Sequence, residues 1–418
     1  MRSFKVALYS PTPHVNGTNT LFTHLRAGLE QLGHTAHILT STASGRSKVG
    51  WQQDLSQEKR IKMGTRWTHV PPTRCCTHAE LPAVMREYDL VILNDVRNLM
   101  QDGEALMRGI KPTYLTALSR ANVRWLPHVS GCFTPPDDNY FITELLSLPS
   151  CSHTLVAHSE TALESHPALM RHPAAVVPLP YQPELSMLSS ADVELPPRGV
   201  VQMMGRSDIS KGFLTAILAG VFAGAPEVRV VGSGSLGLSA SPTQVAYEML
   251  VANLGAEVIS APDWVIMRCN PWHLKIGSTD IKYMGAYESG VSVSHTAQVS
   301  VLLSNTTYST GLRSPEYAAL EALDAGSLCI VADFPRRSSW RVGVPKNFVA
   351  NITTARAASL AKSGQLQAEL ASVTELVQAT LAMSDKHRAE IVRHNHEVMR
   401  RECDPAAIAQ LYLDCGLS

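Results

Sequence analysis

Short apolar runs rich in β-branched residues alternate with helix-length amphipathic stretches along most of this chain, and that alternation leaves few folds open. The runs in the first half are "FKVALYS" (4–10), "TAHILT" (35–40), "DLVILND" (89–95), "VRWLPH" (123–128), "HTLVAH" (153–158) and "AAVVPL" (174–179). They are close to continuously apolar, as strands buried on both faces must be. Residues 18–33 have the helical period and stop at Gly33. Parallel strands need long crossovers, so the expected class is α/β with helices on both faces of parallel sheets. A proline-rich stretch, "PLPYQPELSMLSSADVELPPRG" (178–199), interrupts the rhythm and reads as a linker. The pattern restarts with "GVVQMMG" (199–205), a helix from about Ser210, "VRVVGSGS" (228–235), "IKYMGAY" (281–287), "VSVLLSN" (299–305) and "SLCIVADF" (327–334). Helical patterns run from about Thr354 to Leu413. A chain of 418 residues exceeds one ordinary core, so two doubly wound, Rossmann-like domains are expected.

Charge and cysteine usage narrow the function classes. Lys plus Arg equals Asp plus Glu, 36 against 36, which excludes a globally basic surface and restricts any nucleic-acid contact to a local patch. One such patch is residues 45–74, with seven Lys or Arg, Lys59, Arg60 and Lys62 among them, against two acidic residues and with Trp51 and Trp67 interleaved. Such a segment suits a phosphate backbone, or simply a solvated loop. "PRRSSWR" (335–341) is a second basic patch. The eight cysteines show no CxxC spacing and are expected to be reduced thiols in the cytoplasm. "RCCTH" (74–78) is a poor metal-ligand set. The N-terminal apolar run ends in prolines and reads as a strand rather than a signal peptide, and no apolar stretch is long enough to span a membrane.

Ligands of open parallel sheets bind beyond the carboxyl ends of the strands, so the residues there carry the chemistry. "SPTPHVNGTNT" (10–20) places Gly17 before a helix, where backbone can approach a phosphate or sugar, though an ordinary turn reads equally well. "GRSDISKG" (205–212) sets Arg206 and Lys211 beside a helix N-terminus, a strong combination for a diphosphate. "STGLRSPEYAALEALDAG" (309–326) holds Gly311, Arg313, Glu316 and Glu321. Ser314 suits an N-cap and Gly326 the stop. Glu321 lies among alanines, and a buried carboxylate needs partners; the hydroxyls of a ribose or a nearby arginine would supply them. His128 and His158 end strands and suit a sugar hydroxyl or a proton shuttle, or a structural role. Asn94 and Asp95 close another strand as polar cleft candidates.

With "GRSDISKG" and "EYAALEALDAGSLCIVADF" the chain resembles the retaining glycosyltransferases of the GT-B fold. The resemblance implies that Arg206 and Lys211 hold the donor diphosphate and that Glu321 holds the ribose. Most members carry a glutamate where this chain has Arg313. "RSPEYAALE" (313–321), "KPT" (111–113) with the following strand and His128, and "AHSE" (157–160) are similar to the DNA α-glucosyltransferases of T-even phages. Those enzymes follow the histidine with an aspartate, where this chain has Val129.

The resemblance implies an N-terminal acceptor-binding domain (1–180), a linker (181–198), a nucleotide-sugar-binding domain (199–400) and a C-terminal helix (401–418) crossing back to the first domain. It further implies transfer from a UDP-sugar to the hydroxymethyl group of a modified pyrimidine in double-stranded DNA, such as hydroxymethylcytosine of a bacteriophage, with retention and without a metal. The cytoplasm would then be that of a host. The scarcity of clustered acidic residues agrees with metal independence, and no carboxylate stands out as a nucleophile for double displacement. A glycan, lipid or small-molecule acceptor, or a nucleotide-sugar-binding protein without catalysis, are the alternatives.

Overall fold

The computed structural model describes residues 2–10, 17–42, 74–93, 113–129, 141–158, 163, 167–183, 194–205, 212–232, 242–261, 271–285, 293–303, 317–332, 349–350 and 363–418. The first half builds β1 (Lys5–Tyr9), β2 (Thr35–Thr42), β3 (Arg74–Thr77), β4 (Leu90–Leu93) and β5 (Trp125–Leu126), a parallel sheet of order β3-β2-β1-β4-β5. Next to it, β6 (His128–Val129), β7 (Leu155–Ala157) and β8 (Ala174–Val176) form a parallel three-stranded sheet. The expected strand 123–128 is therefore two strands. Pro127 divides them, because it has no N–H for a ladder, although its carbonyl still accepts from Val156 N–H at 2.9 Å. The helices of this half are α1 (Gly17–Gln31), α2 (Leu81–Met85), α3 (Thr113–Ala121), α4 (Phe141–Leu146) and α5 (Pro167–Arg171).

The second half holds one sheet of order β11-β12-β13-β10-β9-β14-β15-β16. Its strands are β9 (Val200–Met204), β10 (Glu227–Val231), β11 (Glu257–Ser260), β12 (Trp272–Ile276), β13 (Thr279–Gly285), β14 (Val299–Leu302), β15 (Leu328–Ala332) and β16 (Val349–Ala350). Its helices are α6 (Phe213–Phe222), α7 (Pro242–Leu254) and α8 (Tyr317–Asp324), followed by α9 (Ser363–Leu381), α10 (Asp385–Glu402) and α11 (Pro405–Leu417). The strands from β13 to β16 in the sheet order are parallel, while β11 and β12 add an antiparallel edge. In both halves the chain first builds outward on one side of its first strand and then on the other. This creates a switch point between β1 and β4 and another between β9 and β14.

Burial explains the sequence pattern. All residues of β4, β9 and β14 are buried, as strands covered on both faces require. One apolar core runs from β1, β2 and β4 through α1 and α11 to α8 and the ends of β9, β10 and β14. A second fills the face of the large sheet under α6, α7 and α9. Helix α11 lies against α1, β4, β5 and β7 of the first half. Arg124 donates to the Leu417 carbonyl at 2.9 Å and pins its end. The proline-rich connection is held by the second half: Tyr181 N–H donates to the Cys403 carbonyl at 2.8 Å, and Arg388 donates to the Pro196 carbonyl at 2.6 Å.

Candidate functional site

Three neighbouring strands of the second half, running up to its switch point, end in glycine. Gly205 follows β9, Gly232 follows β10 and Gly285 ends β13, with φ of 126°, 149° and 76°. A Cβ on Gly232 would lie 1.6 Å from the Gly205 carbonyl oxygen, so the backbones meet where no side chain fits. Gly232 N–H donates to the Gly285 carbonyl at 2.7 Å, Gly205 N–H to the Val231 carbonyl at 2.9 Å, and the Tyr283 hydroxyl to the Gly232 carbonyl at 2.8 Å. The last described residue at each of these three adjacent strand ends is a glycine, so backbone is what these residues present. Helix α6 starts from the same edge, with Gly212 at φ 68° before its first residue. The helix dipole puts partial positive charge at that end.

Helix α8 is the buried helix that the alanines of 317–325 call for: all eight of its residues are buried, because Ala318, Ala319 and Ala322 let it lie close to β15 and α10. It stops at Gly326, φ 75°, with Gly326 N–H donating to the Leu323 carbonyl and Ser327 N–H to the Ala322 carbonyl, both at 3.0 Å, a Schellman closure. Glu321 is 4% exposed on this helix. One turn on, Asp324 is buried and accepts from the Tyr181 hydroxyl at 2.9 Å. Tyr317 donates to the Pro180 carbonyl at 3.0 Å. From the first half, His24 of α1 stacks on Tyr317 and leans on Tyr181, with centroids 5.3 and 5.0 Å apart. Burial among these rings pulls its pKa down to about 4.

The first half carries a buried histidine pair at the ends of neighbouring parallel strands. His128 opens β6 opposite Val156, and His158 follows β7. They are 0% and 2% exposed, and their Nε2 atoms are 3.0 Å apart. His158 Nδ1 lies 2.7 Å from the Val177 carbonyl, which can only accept. The Tyr412 hydroxyl of α11 reaches His158 Nε2 at 3.4 Å. At the far edge, the Tyr9 hydroxyl, Ser41 Oγ and His78 Nδ1 form a second polar group, with contacts of 2.9 and 3.1 Å.

No protein-family model matches the chain, and no curated protein matches it in sequence. Solved structures match over nearly its whole length. An α-glucosyltransferase in complex with UDP-glucose and DNA containing an abasic site superposes with a TM-score of 0.60 at 12% identity, covering 99% of each chain. AviGT4, a glycosyltransferase involved in avilamycin A biosynthesis, gives 0.54 at 15% identity, over 99% of this chain and 97% of its own. A TarM variant of S. aureus, in complex with fondaparinux, α-GlcNAc-glycerol and UDP, gives 0.59 at 8% identity, covering 100% of both. Sheets, switch points and full-length superposition agree. The fold is GT-B.

Within this GT-B fold His158 follows a strand as the sequence suggests, whereas His128 opens β6 rather than ending a strand, because Pro127 divides the expected run. Glu321, His128 and His158 are described, and Gly17 is the first residue of α1. Arg206, Lys211, Gly311, Arg313, Glu316, Asn94, Asp95, Lys59, Arg60 and Lys62 lie outside the described residues. The two histidines, considered singly in the sequence, form one hydrogen-bonded unit. Sequence reasoning passed over Gly232, Gly285, His24, Tyr181, Asp324 and Tyr412. "VGSGS" carried a signal for Gly232; the other five are joined by tertiary packing that no local pattern encodes. Among the described residues no helix is long and apolar enough to cross a membrane.

Proposed function

We propose that this chain is a retaining glycosyltransferase that moves a sugar from a UDP-sugar to the hydroxymethyl group of a modified pyrimidine in double-stranded DNA. The observation that carries the donor side is the three glycine strand ends, Gly205, Gly232 and Gly285, beside the start of α6. A diphosphate can approach the backbone of these glycines without meeting a side chain of theirs. Arg206 and Lys211 follow β9 and would neutralise charge developing on the leaving diphosphate. Glu321 would accept from the ribose hydroxyls, while Glu316, Gly311 and Arg313 would line the approach from the N-terminal side of α8. Gly17 would let the start of α1 come close to the donor. The new bond joins the acceptor oxygen to the anomeric carbon as the anomeric carbon–phosphate bond breaks. The acceptor proton passes to the leaving phosphate oxygen on the same face, which accounts for retention without a protein nucleophile and for independence from a metal. His128 would hold a sugar or acceptor hydroxyl, and Asn94, Asp95 and His158 belong to the acceptor side.

DNA as acceptor is supported by Arg313 in "RSPEYAALE", by the basic segment 45–74 and by the likeness to a DNA-bound α-glucosyltransferase. The target base would leave the stack to reach the cleft. We propose residues 1–180 as the acceptor domain, 181–198 as the linker, 199–400 as the donor domain and 401–418 as the returning helix. A glycan acceptor is the second reading, favoured by the zero net charge and by the likeness to TarM. The test is incubation with a panel of UDP-sugars and duplex DNA containing hydroxymethylated pyrimidines, followed by mass spectrometry of the released nucleosides. A hexose or pentose mass added to the modified nucleoside is expected. Donor turnover on glycans with none on DNA would transfer the assignment to the second reading.

A further inference from the structure

We infer that His78 is a phosphate contact for the acceptor duplex, held in place by the Ser41 hydroxyl at the carboxyl end of the first sheet. The inference deepens the reading of duplex DNA as acceptor and rests on it. Tyr9 ends β1, Ser41 is the last residue but one of β2, and His78 follows β3. The register pairs Tyr9 with Leu39 and Ser41 with Cys76, which puts Tyr9, Ser41 and Cys76 on one face, and His78 lies two residues beyond Cys76. Ligands of parallel sheets bind beyond this end. Tyr9 and Ser41 are 1% and 3% exposed, with their oxygens 2.9 Å apart. His78 is exposed, and its Nδ1 lies 3.1 Å from Ser41 Oγ. Buried hydroxyls thus support one exposed imidazole through Nδ1. A serine hydroxyl both donates and accepts. It donates to Nδ1 when the ring carries its proton on Nε2, and it accepts from Nδ1–H when both nitrogens are protonated. In both forms Nε2–H is a donor, and the Ser41 bond is kept. A phosphate oxygen, which only accepts, requires such a donor. The backbone at His78 is held as well. Thr77 Oγ donates to Glu80 Oε2 at 2.8 Å and accepts from Glu80 N–H at 3.2 Å, and Thr77 N–H donates to the same carboxylate oxygen at 2.9 Å. That turn also engages the acidic group closest in sequence to His78. Thr42 closes β2 one position beyond Ser41, and the basic segment 45–74 follows it, so the chain enters the segment proposed for the phosphate backbone from this strand end. In the sheet, β2 and β3 lie on the opposite side of β1 from β4 and β5, after which His128 comes. A contact here would grip the flank of the duplex and position it without reading its sequence.

The test is fluorescence anisotropy at one fixed salt concentration with two duplexes of the same sequence, one carrying a hydroxymethylated pyrimidine and one unmodified. His78→Ala should weaken binding of both by the same factor, about tenfold or more, as one hydrogen bond to a charged oxygen is lost. His78→Gln places an amide N–H where Nε2–H stood and should regain most of the loss. Ser41→Ala keeps the donor but frees the ring, and should give a smaller loss in the same direction. Thermal stability and UDP-glucose affinity by calorimetry should be unchanged in His78→Ala, as suits an exposed side chain of the first half. A loss confined to the hydroxymethylated duplex means a base contact and overturns the inference. Equal losses in the alanine and glutamine variants, or a loss that follows the folded fraction, overturn it too. Unchanged binding in His78→Ala, with wild type still transferring sugar to DNA, removes the contact and leaves the proposed function. DNA binding that depends on His78, with no transfer from any UDP-sugar, keeps the contact and removes the proposed function. A wild-type protein that binds neither duplex overturns both.

Discussion

Glu321 is a carboxylate on a helix with eight buried residues, a placement that costs free energy unless partners offset it. In the proposed function the ribose hydroxyls are part of that compensation, and this makes two readouts move in opposite directions. Glu321→Gln keeps volume and one acceptor but removes the carboxylate. Hydrogen bonds to a charged acceptor contribute about 1.5–3 kcal/mol each, so UDP-glucose affinity by calorimetry should fall roughly tenfold or more. Thermal stability should hold or rise, because an amide costs less to bury than a carboxylate. Loss of both would make Glu321 a structural residue. His24 lends itself to a different measurement. Its folded-state pKa of about 4 lies below the ordinary histidine value of 6.5, so between those values the unfolded chain binds a proton that the folded chain refuses. Stability from this residue is therefore complete above pH 6.5 and lost as pH falls toward 4, by at most about 3 kcal/mol. His24→Phe retains a ring against Tyr181 and Tyr317 and should flatten that share of the pH dependence in urea unfolding. His396 and His172 are lowered by burial too, so a residual slope of the same sign should persist.

At the scale of elements, the first half and α11 meet through a contact with no room for a side chain. A Cβ on Gly28 of α1 would lie 2.0 Å from the Pro405 carbonyl oxygen, and one on Gly416 2.7 Å from Leu90. Gly28→Ala forces backbone apart rather than a flexible side chain. It should cost about 1–3 kcal/mol in denaturant unfolding despite the better helix propensity of alanine. No destabilisation would mean that α11 is not held against α1 in solution. The same principle separates what could be read in the sequence from what could not. β1, β4, β9, β14 and β15 were legible because burial on both faces writes itself as a near-continuous apolar run, while β2 and β10 showed through their β-branched apolar residues. β3, "RCCT", was too short and polar to register. Of the β12–β13 hairpin only the second strand was read, as "IKYMGAY", while β12 and the turn were passed over although their signal is present. Gly277 and Ser278 make a two-residue turn with Gly277 at φ 58°, while Trp272, Leu274, Ile281 and Tyr283 alternate inward against His273, Lys275, Asp280 and Lys282. A reading tuned to continuous runs misses the alternation of β12, which "WHLKI" carries over only five residues. Of the candidate site residues, the burial of Glu321 was legible because a carboxylate among alanines breaks the local pattern. Tyr412 was not, since it meets His158 only once α11 has returned 254 residues later.

The whole molecule has no net charge, and this makes the DNA reading testable without any catalytic measurement. A neutral protein gains little long-range attraction to a polyanion, so binding must come from a few cations placed along the backbone path. Residues 45–74 concentrate seven Lys or Arg in a chain with 36 in total, and Lys59, Arg60 and Lys62 are packed within four positions. If all three neutralise phosphates of duplex DNA, each releases a counterion, and each contributes about 0.9 to the slope of log affinity against log salt. Converting them together to glutamine should reduce that slope by roughly 3 and weaken binding most at low salt. Binding of a UDP-sugar to the second half should be untouched, since that half supplies its own glycine strand ends and helix N-terminus. Fluorescence anisotropy with a duplex carrying a hydroxymethylated pyrimidine, repeated across a salt series, measures the slope directly. A slope that does not change between wild type and the triple variant removes the segment from the DNA contact. A wild-type slope near zero removes DNA itself and leaves the glycan acceptor as the reading that a neutral GT-B chain supports.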